Sequence, residues 1–207
     1  MSNALIHFAK TDVSRETMDD LESYERLIRK WNPVINLVSK ASLDHMEARH
    51  FADSLQLLDH IDGEVNLWAD FGSGGGFPAI VLAIHAKHTG RVRSFVLVES
   101  DQRKAAFLRE VVRTLDLPAA VIADRAEGLE PLGADVVSAR ALGPLTELCG
   151  LATRHMKDNG VAIFPKGARF REEIAEAQKT WSFEFQAKVS RTDPEAAVLC
   201  LRNIAHA

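Results

Sequence analysis

Leu67-Trp68-Ala69-Asp70-Phe71-Gly72-Ser73-Gly74-Gly75-Gly76-Phe77-Pro78, followed by Ala79-Ile80-Val81-Leu82-Ala83-Ile84, is the stretch that decides the fold. The apolar run ending at Asp70 reads as a buried strand, and the run after Pro78 as a buried helix. Pro78 suits the first helical position, where a missing N–H costs nothing. Strand, glycine turn and helix in that order open a βαβ nucleotide site. The glycines let backbone approach a ligand and permit positive φ. The helix start is expected to offer unpaired N–H groups to an anion.

The spacing narrows the ligand. A dinucleotide fingerprint G-x-G-x-x-G would need glycine at 77, where the chain has Phe77. No Gly-Lys-Ser/Thr follows, so the loop is not a Walker A loop. Gly72, Gly74 and Gly76, with Asp70 two residues ahead, form D-x-G-x-G-x-G. That pattern resembles the first motif of S-adenosylmethionine (SAM) methyltransferases. A tight turn without a ligand is the alternative, but three spaced glycines there are costly in chain entropy.

Composition sets the outer limits. At 207 residues the chain suits one α/β domain with a modest extension. A net charge of −4 supplies no global basic field, so contact with nucleic acid must rest on a local basic patch. Cys149 and Cys200 form no CxxC pair or disulfide framework, which fits a reducing cytoplasm. No His or Cys cluster has metal spacing, so no metal is expected. Met1 to His7 lacks a charged n-region with a long apolar core, and no apolar run approaches the roughly 18 residues of a membrane span. A cytoplasmic monomer is expected.

Residues 1 to about 13 are expected as a mobile lead-in. Ser14 and Thr17 offer a weak capping box, with Thr where Glu is favoured. Met18, Leu21, Leu27, Ile28 and Trp31 recur at helical spacing, and Pro33 is expected to end that helix. Asn32 to Ser39 reads as a connector. A second helix is expected from just after Ser42 to about His60, with Met46, His50, Phe51, Leu55 and Leu58 inward. These helices form an N-terminal cap, residues 1–62, on a Rossmann-like domain of residues 63–207. In that domain strands are expected at 94–99, 119–123, 134–139 and 160–164. Helices are expected at 102–115, about 144–156 and about 170–180. Two last strands, 183–189 and 196–201, have no helix between them. The pattern is an α/β fold with a mostly parallel seven-stranded sheet and an antiparallel edge pair.

Candidate ligand contacts fall at strand ends, where open α/β sheets bind. Glu99 ends the second strand, where such folds place an acid on a ribose. Asp124-Arg125-Ala126-Glu127 follows the third strand, beside the expected adenine. Arg140, in Ser138-Ala139-Arg140-Ala141, ends the fourth strand and must be solvated or paired. Lys166 ends the fifth strand in Pro165-Lys166-Gly167. Arg103, Lys104 and Arg125 on neighbouring loops complete a local basic rim.

Together these segments resemble the ribosomal RNA small subunit methyltransferase G family, once called glucose-inhibited division protein B. The matching stretches are Trp31-Asn32 with Asn36-Leu37, Arg49-His50 with Asp53-Ser54, Asp70 to Pro78, Glu99-Ser100 with Arg103-Lys104, Arg125-Ala126-Glu127, Ser138-Ala139-Arg140-Ala141 and Lys166-Gly167. Beyond about residue 170 the chain carries little signature. The resemblance implies a class I SAM-dependent methyltransferase acting on N7 of a guanosine in 16S rRNA, free or in the ribosomal subunit. It implies cofactor contacts at Gly72, Phe77, Ala126, Glu127 and Arg140, to which the glycine motif adds Asp70, Ser73, Gly74 and Gly76, and the strand end Glu99. It places Arg49, His50, Arg103, Arg125 and Lys166 toward RNA, with Arg140 and Lys166 positioning the reactants. Ala79, where the family usually has glycine, and Arg103, where lysine is common, depart from the pattern without removing a group the chemistry needs.

Guanine N7 carries a lone pair and no proton, so transfer to it needs no general base. Alignment then supplies most of the rate, and no acid–base catalytic residue is expected. The alternatives are a SAM- or NAD-binding protein of another class, including a methyltransferase with a different substrate, and a non-catalytic RNA-binding module.

Overall fold

The computed structural model describes residues 13–207. The expected lead-in lies outside the described residues apart from Val13, which is buried. Seven strands form one sheet: β1 (Val65–Phe71), β2 (Val92–Val98), β3 (Ala119–Ile122), β4 (Ala134–Ala139), β5 (Met156–Lys166), β6 (Trp181–Val189) and β7 (Ala197–His206). Their order is β3-β2-β1-β4-β5-β7-β6. The chain runs outward from β1 to β3, then returns to place β4 on the other side of β1. Strand order therefore reverses between β1 and β4, and a ligand crevice opens beyond their carboxyl ends. Asp70 pairs in register with Leu97 on one side and Ser138 on the other, at the mouth of that crevice.

β1 to β5 pair in parallel, as their intervening helices require. The last two strands are joined without a crossover helix and pair antiparallel. β7 inserts between β5 and β6, leaving β6 as a largely exposed edge. β7 continues to His206, five residues past the expected end, because β6 supplies partners as far as Trp181.

Seven α-helices accompany the sheet among the described residues: α1 (Arg15–Ile35), α2 (Lys40–Leu43), α3 (Ala52–Leu55), α4 (Ala79–Thr89), α5 (Gln102–Thr114), α6 (Leu145–His155) and α7 (Phe170–Ala177). Ser14 caps α1, its Oγ accepting the Thr17 N–H at 3.2 Å. Pro33 does not end α1. The helix runs on to Ile35 and closes at Asn36, a left-handed residue whose N–H donates to the Asn32 carbonyl at 3.0 Å. So close to the end, proline forfeits only its own hydrogen bond. The Asn32 side chain then holds the exit turn, donating to the Val38 carbonyl at 3.1 Å and accepting its N–H at 2.9 Å.

The second helix expected over 42–60 is present over 46–60 as one continuous helical run that changes type along its length, with a separate short helix ahead of it. α2 begins under Ser39 rather than after Ser42, a π-helical segment covers Glu47–Phe51, α3 follows, and a 3-10 turn covers Gln56–His60. The inward set is otherwise as expected: Met46, Phe51, Leu55 and Leu58 are buried, and His50 is half-buried. The π segment shifts the helical register where Arg49 and His50 must face a cleft, and such slips concentrate at functional sites. Pro78 stands immediately before α4 instead of opening it.

The N-terminal helices and the sheet share one core. Leu21, Tyr24, Ile28, Phe51 and Leu55 lie in the same apolar cluster as Trp68, Ile80, Leu82 and Phe107. α4 is buried from Ala79 to Ala86, and α1 packs against its outer side. A helix apolar all round requires such double cover. A second cluster, including Val137, Leu148, Phe164, Ile174 and Leu199, fills the other face of the sheet.

Candidate cofactor and substrate site

The glycine turn is braced from three sides. The N–H groups of Gly72 and Ser73 both donate to the Val98 carbonyl, at 2.9 and 3.2 Å, tying the turn to the end of β2. Gly76 donates to the Ser73 carbonyl at 2.7 Å. Gly74 donates to Glu99 Oε2 at 2.7 Å, and Asp101 donates to Glu99 Oε1 at 2.8 Å. Four amides of the turn are thus spent within the protein. Those four amides are not free for a pyrophosphate.

Two glycines are sterically required. A Cβ at Gly72, where φ is +64°, would stand 2.5 Å from Leu142 Cδ1. At Gly76, where φ is +97°, it would stand 2.6 Å from both Ile80 Cγ1 and the Tyr24 hydroxyl. That hydroxyl donates to the Gly75 carbonyl, so α1 supports the turn from below. Tyr24 escaped the sequence reading because its partner lies 51 residues away.

Asp70 is fully buried at the end of β1. Ser138 Oγ donates to its Oδ1 at 2.6 Å, and Trp68 Nε1 donates to Ser138 Oγ at 2.8 Å. Asp70 Oδ2 has no partner. Burial pushes the Asp70 carboxyl up to about 6, against the pull of the Ser138 hydrogen bond. A buried carboxylate oxygen without a partner, beside a glycine turn, suits the ammonium of an amino-acid ligand. Glu99 is buried and retains acceptor capacity beyond its two backbone bonds, which suits ribose hydroxyls. These residues fit SAM.

The Ser73 side chain helps to close the glycine turn, its Oγ donating to the Asp70 carbonyl at 3.1 Å. Ala126 and Glu127 stand in a short 3-10 turn after β3, Ala126 buried and Glu127 exposed. The Ala126 carbonyl is held by His155 Nε2 at 2.9 Å, from a histidine that sequence reasoning missed.

Across from the glycine turn, Arg140 donates to Asp53 Oδ2 at 3.3 Å and to His50 Nδ1 at 3.1 Å. Its guanidinium lies 5.0 Å over the Phe77 ring, against which His50 stacks at 4.6 Å. Burial and the charges of Arg140 and Arg49 push His50 down to about 4. His50 is therefore neutral near pH 7, and its expected place among the basic contacts is corrected to that of an acceptor for Arg140. Lys166 Nζ donates to the Gly143 carbonyl at 2.8 Å and to Glu173 at 2.7 Å, and its side chain is only 9% exposed. Glu173 also accepts the Leu145 N–H at 3.1 Å. Lys166 thus braces the loop between β4 and α6.

A cleft of about 1250 Å³ opens beside these residues, with Arg49, His50, Asp53, Arg140 and Lys166 in its wall. The glycine turn and Glu99 lie outside its lining; Leu142, over Gly72, stands between the two halves of the site. Arg103, in the first turn of α5 rather than on a loop, and Arg125, on the loop after β3, are exposed and do not line the cleft, and Arg103 pairs with Asp101 at 3.2 Å. Burial holds the thiols of Cys149 and Cys200 up at about 12 and 11, so neither is an activated nucleophile.

A crevice at the β1/β4 reversal, a D-x-G-x-G-x-G turn and a strand-end glutamate define a Rossmann-like SAM-dependent methyltransferase. Solved structures share that fold. M. jannaschii TYW2 in complex with AdoMet matches with a TM-score of 0.54 at 15% identity, over 82% of this chain and 77% of that one. A ribosomal protein L11 methylase from Lactobacillus delbrueckii subsp. bulgaricus matches with a TM-score of 0.55 at 16% identity, over 76% and 78%. Residues 17–197 match the family described as rRNA small subunit methyltransferase G. Curated proteins named ribosomal RNA small subunit methyltransferase G are similar along nearly their whole length. One from Cereibacter sphaeroides is 48% identical over 198 residues, 96% of each chain. One from Rhodospirillum centenum is 49% identical over 193 residues, 93% of this chain and 87% of the relative. The chain belongs to the rRNA small subunit methyltransferase G family.

Proposed function

We propose that this chain transfers the methyl group of SAM to N7 of a guanosine in 16S rRNA. The observation that carries the reading is the unpartnered Asp70 Oδ2 beside the glycine turn, next to the Arg140 cleft, in a chain of this family. SAM supplies an activated methyl group on a sulfonium. Asp70 would accept its ammonium and Glu99 its ribose hydroxyls, with Gly72, Gly74, Gly76, Phe77, Ala126 and Glu127 shaping the rest. Arg140 would orient the incoming nucleotide. Arg49, Arg103 and Arg125 supply exposed cations for phosphates, and Lys166 holds the loop that frames the base.

The side chains suit a nucleophile that arrives already deprotonated. His50 is neutral but bonded to Arg140, Asp53 is bonded to Arg140, and both thiols are protonated at neutral pH. Alignment of nucleophile, methyl carbon and leaving sulfur is worth about 7–11 kcal/mol in well-oriented cases. No metal enters this scheme, and the chain acts as a cytoplasmic monomer whose residues 1–62 cap the 63–207 domain. No helix of the described residues is long and apolar enough to cross a membrane.

The test is radiolabelled methyl transfer to 16S rRNA and to the assembled small subunit, with mass spectrometry of the modified nucleoside. N7-methylguanosine is expected. A product methylated on an exocyclic amine, or no transfer to either RNA form, overturns the reading. Glu99→Ala should weaken SAM binding by about 1–3 kcal/mol for the lost charged hydrogen bonds.

A further inference from the structure

Asp53 is the meeting point of three separate parts of the chain. Its Oδ1 accepts Gln56 Nε2 at 2.7 Å and Thr192 Oγ1 at 2.9 Å, and its Oδ2 accepts Arg140 at 3.3 Å. Gln56 is buried and reaches twice into the turn that carries Thr192. Its Nε2 donates to Ser190 Oγ at 3.1 Å, and its Oε1 accepts the Arg191 N–H at 2.9 Å. The turn closes on itself where Thr192 N–H donates to Ser190 Oγ at 3.2 Å. Residues 190–196, between β6 and β7, are therefore fastened to the N-terminal segment at the wall of the cleft.

We propose that Asp53 is a positioning residue that fixes the Arg140 guanidinium across the Phe77 ring, and that the β6–β7 turn, through Thr192, fixes Asp53. The proposal rests on the methyltransferase reading above and names the device that holds its substrate-facing arginine. A guanidinium on a long side chain has many rotamers. Here two acceptors, Asp53 Oδ2 and His50 Nδ1, set its plane while an aromatic face sets its height. Of these acceptors, only Asp53 brings a negative charge. Three donors converge on its carboxylate, so an amide in its place would turn an NH₂ against at least one of them. The terminal hairpin, which carries little sequence signature, thereby becomes part of the site.

The test uses the full chain with Asp53→Asn, Thr192→Val, Thr192→Ser, Arg140→Ala and the double variant Asp53→Asn with Arg140→Ala. Two readouts are taken: the single-turnover methyl-transfer rate on rRNA at saturating SAM, and the arginine side-chain NMR signals, with Arg140→Ala assigning the Arg140 resonance. D53N should slow transfer by about 10- to 100-fold, the scale of a misplacement near 1 Å. T192V should slow it less, and T192S should restore it. Adding D53N to R140A should slow transfer no further, because the aspartate acts through the arginine. The Arg140 guanidinium signals should broaden in both D53N and T192V. Additive losses in the double variant, or Arg140 signals unchanged in D53N, overturn the proposal. If D53N does not fold, the T192V and T192S pair decides it by the same two readouts. If the wild-type chain transfers no methyl group to rRNA, the functional reading fails, while the NMR measurement still decides whether Asp53 holds Arg140.

Discussion

At the scale of residues, Asp70 couples the site to pH. Its carboxyl ordinarily titrates near 3.8 and is pushed up to about 6 in the fold by burial. A raised carboxyl pKa means that the folded chain holds the proton more tightly than the unfolded chain. The stabilisation is complete below about pH 3.8 and is lost as pH rises through about 6, by roughly 3 kcal/mol. Asp70→Asn should therefore gain stability over wild type between pH 4 and 7.5 in urea unfolding of the ligand-free protein. SAM affinity should run the other way, falling by up to about tenfold per pH unit below about 6, where Asp70 is protonated and cannot accept from an ammonium. Calorimetry between pH 5 and 7.5 checks this, and a flat affinity would remove Asp70 from the cofactor site. Tyr24→Phe deletes the donor to the Gly75 carbonyl. A buried carbonyl left alone costs about 1–3 kcal/mol. Part of that loss should appear as weaker SAM binding with RNA affinity unchanged.

At the scale of elements, the loop between β4 and α6 decides how the two halves of the site communicate. Leu142 is 44% exposed yet crowds Gly72, while Lys166 and Glu173 grip Gly143 and Leu145 from β5 and α7. Gly72→Ala should weaken SAM binding, and adding Leu142→Ala should recover part of the loss by opening the space. The part not recovered reports the strained left-handed backbone, about 1–3 kcal/mol. Lys166→Ala should speed hydrogen exchange at the amides of 143–145 and leave the salt dependence of RNA binding nearly unchanged, since its ammonium already faces Glu173. Arg49 and Arg103 are exposed, and each alanine variant should lower the log–log salt slope by roughly 0.7–0.9. An equal slope change for Lys166→Ala would place its ammonium on RNA instead.

At the scale of the whole molecule, the shared core makes the N-terminal helices part of the catalytic body. Removing residues 1–62 would bare the outer side of α4, whose residues from Ala79 to Ala86 are all buried. Leu55→Ala, deep in the joint cluster, should cost about 2–5 kcal/mol. Unfolding should stay a single transition when followed by Trp31 in α1 and Trp68 in β1. Single-turnover methyl transfer at saturating SAM and RNA should be nearly flat from about pH 6.5 to 8.5, since His50 near 4 and Asp70 near 6 both titrate below that window. A tenfold rise with one pKa inside the window would require a base that the proposed chemistry does not use.

The glycine turn, the strand-end Glu99, the strands of the sheet and its class are legible in the order of the amino acids. Those features depend on local backbone freedom and on hydrophobic runs, which neighbouring residues dictate. What lies between elements is set by packing in the folded chain. Pro33 is absorbed because it lies in the last turn of α1, and the helix expected over 42–60 slips at Glu47–Phe51, where His50 stacks on Phe77. β7 enters between β5 and β6, a pairing that alternation alone does not specify. Lys166 reads as a rim cation in sequence and becomes a brace because Glu173 and Gly143 fold onto it. The carboxylate of Asp53 meets Thr192 across 139 residues of chain. Contacts of that kind arise from packing between distant segments, so composition and periodicity carry no trace of them.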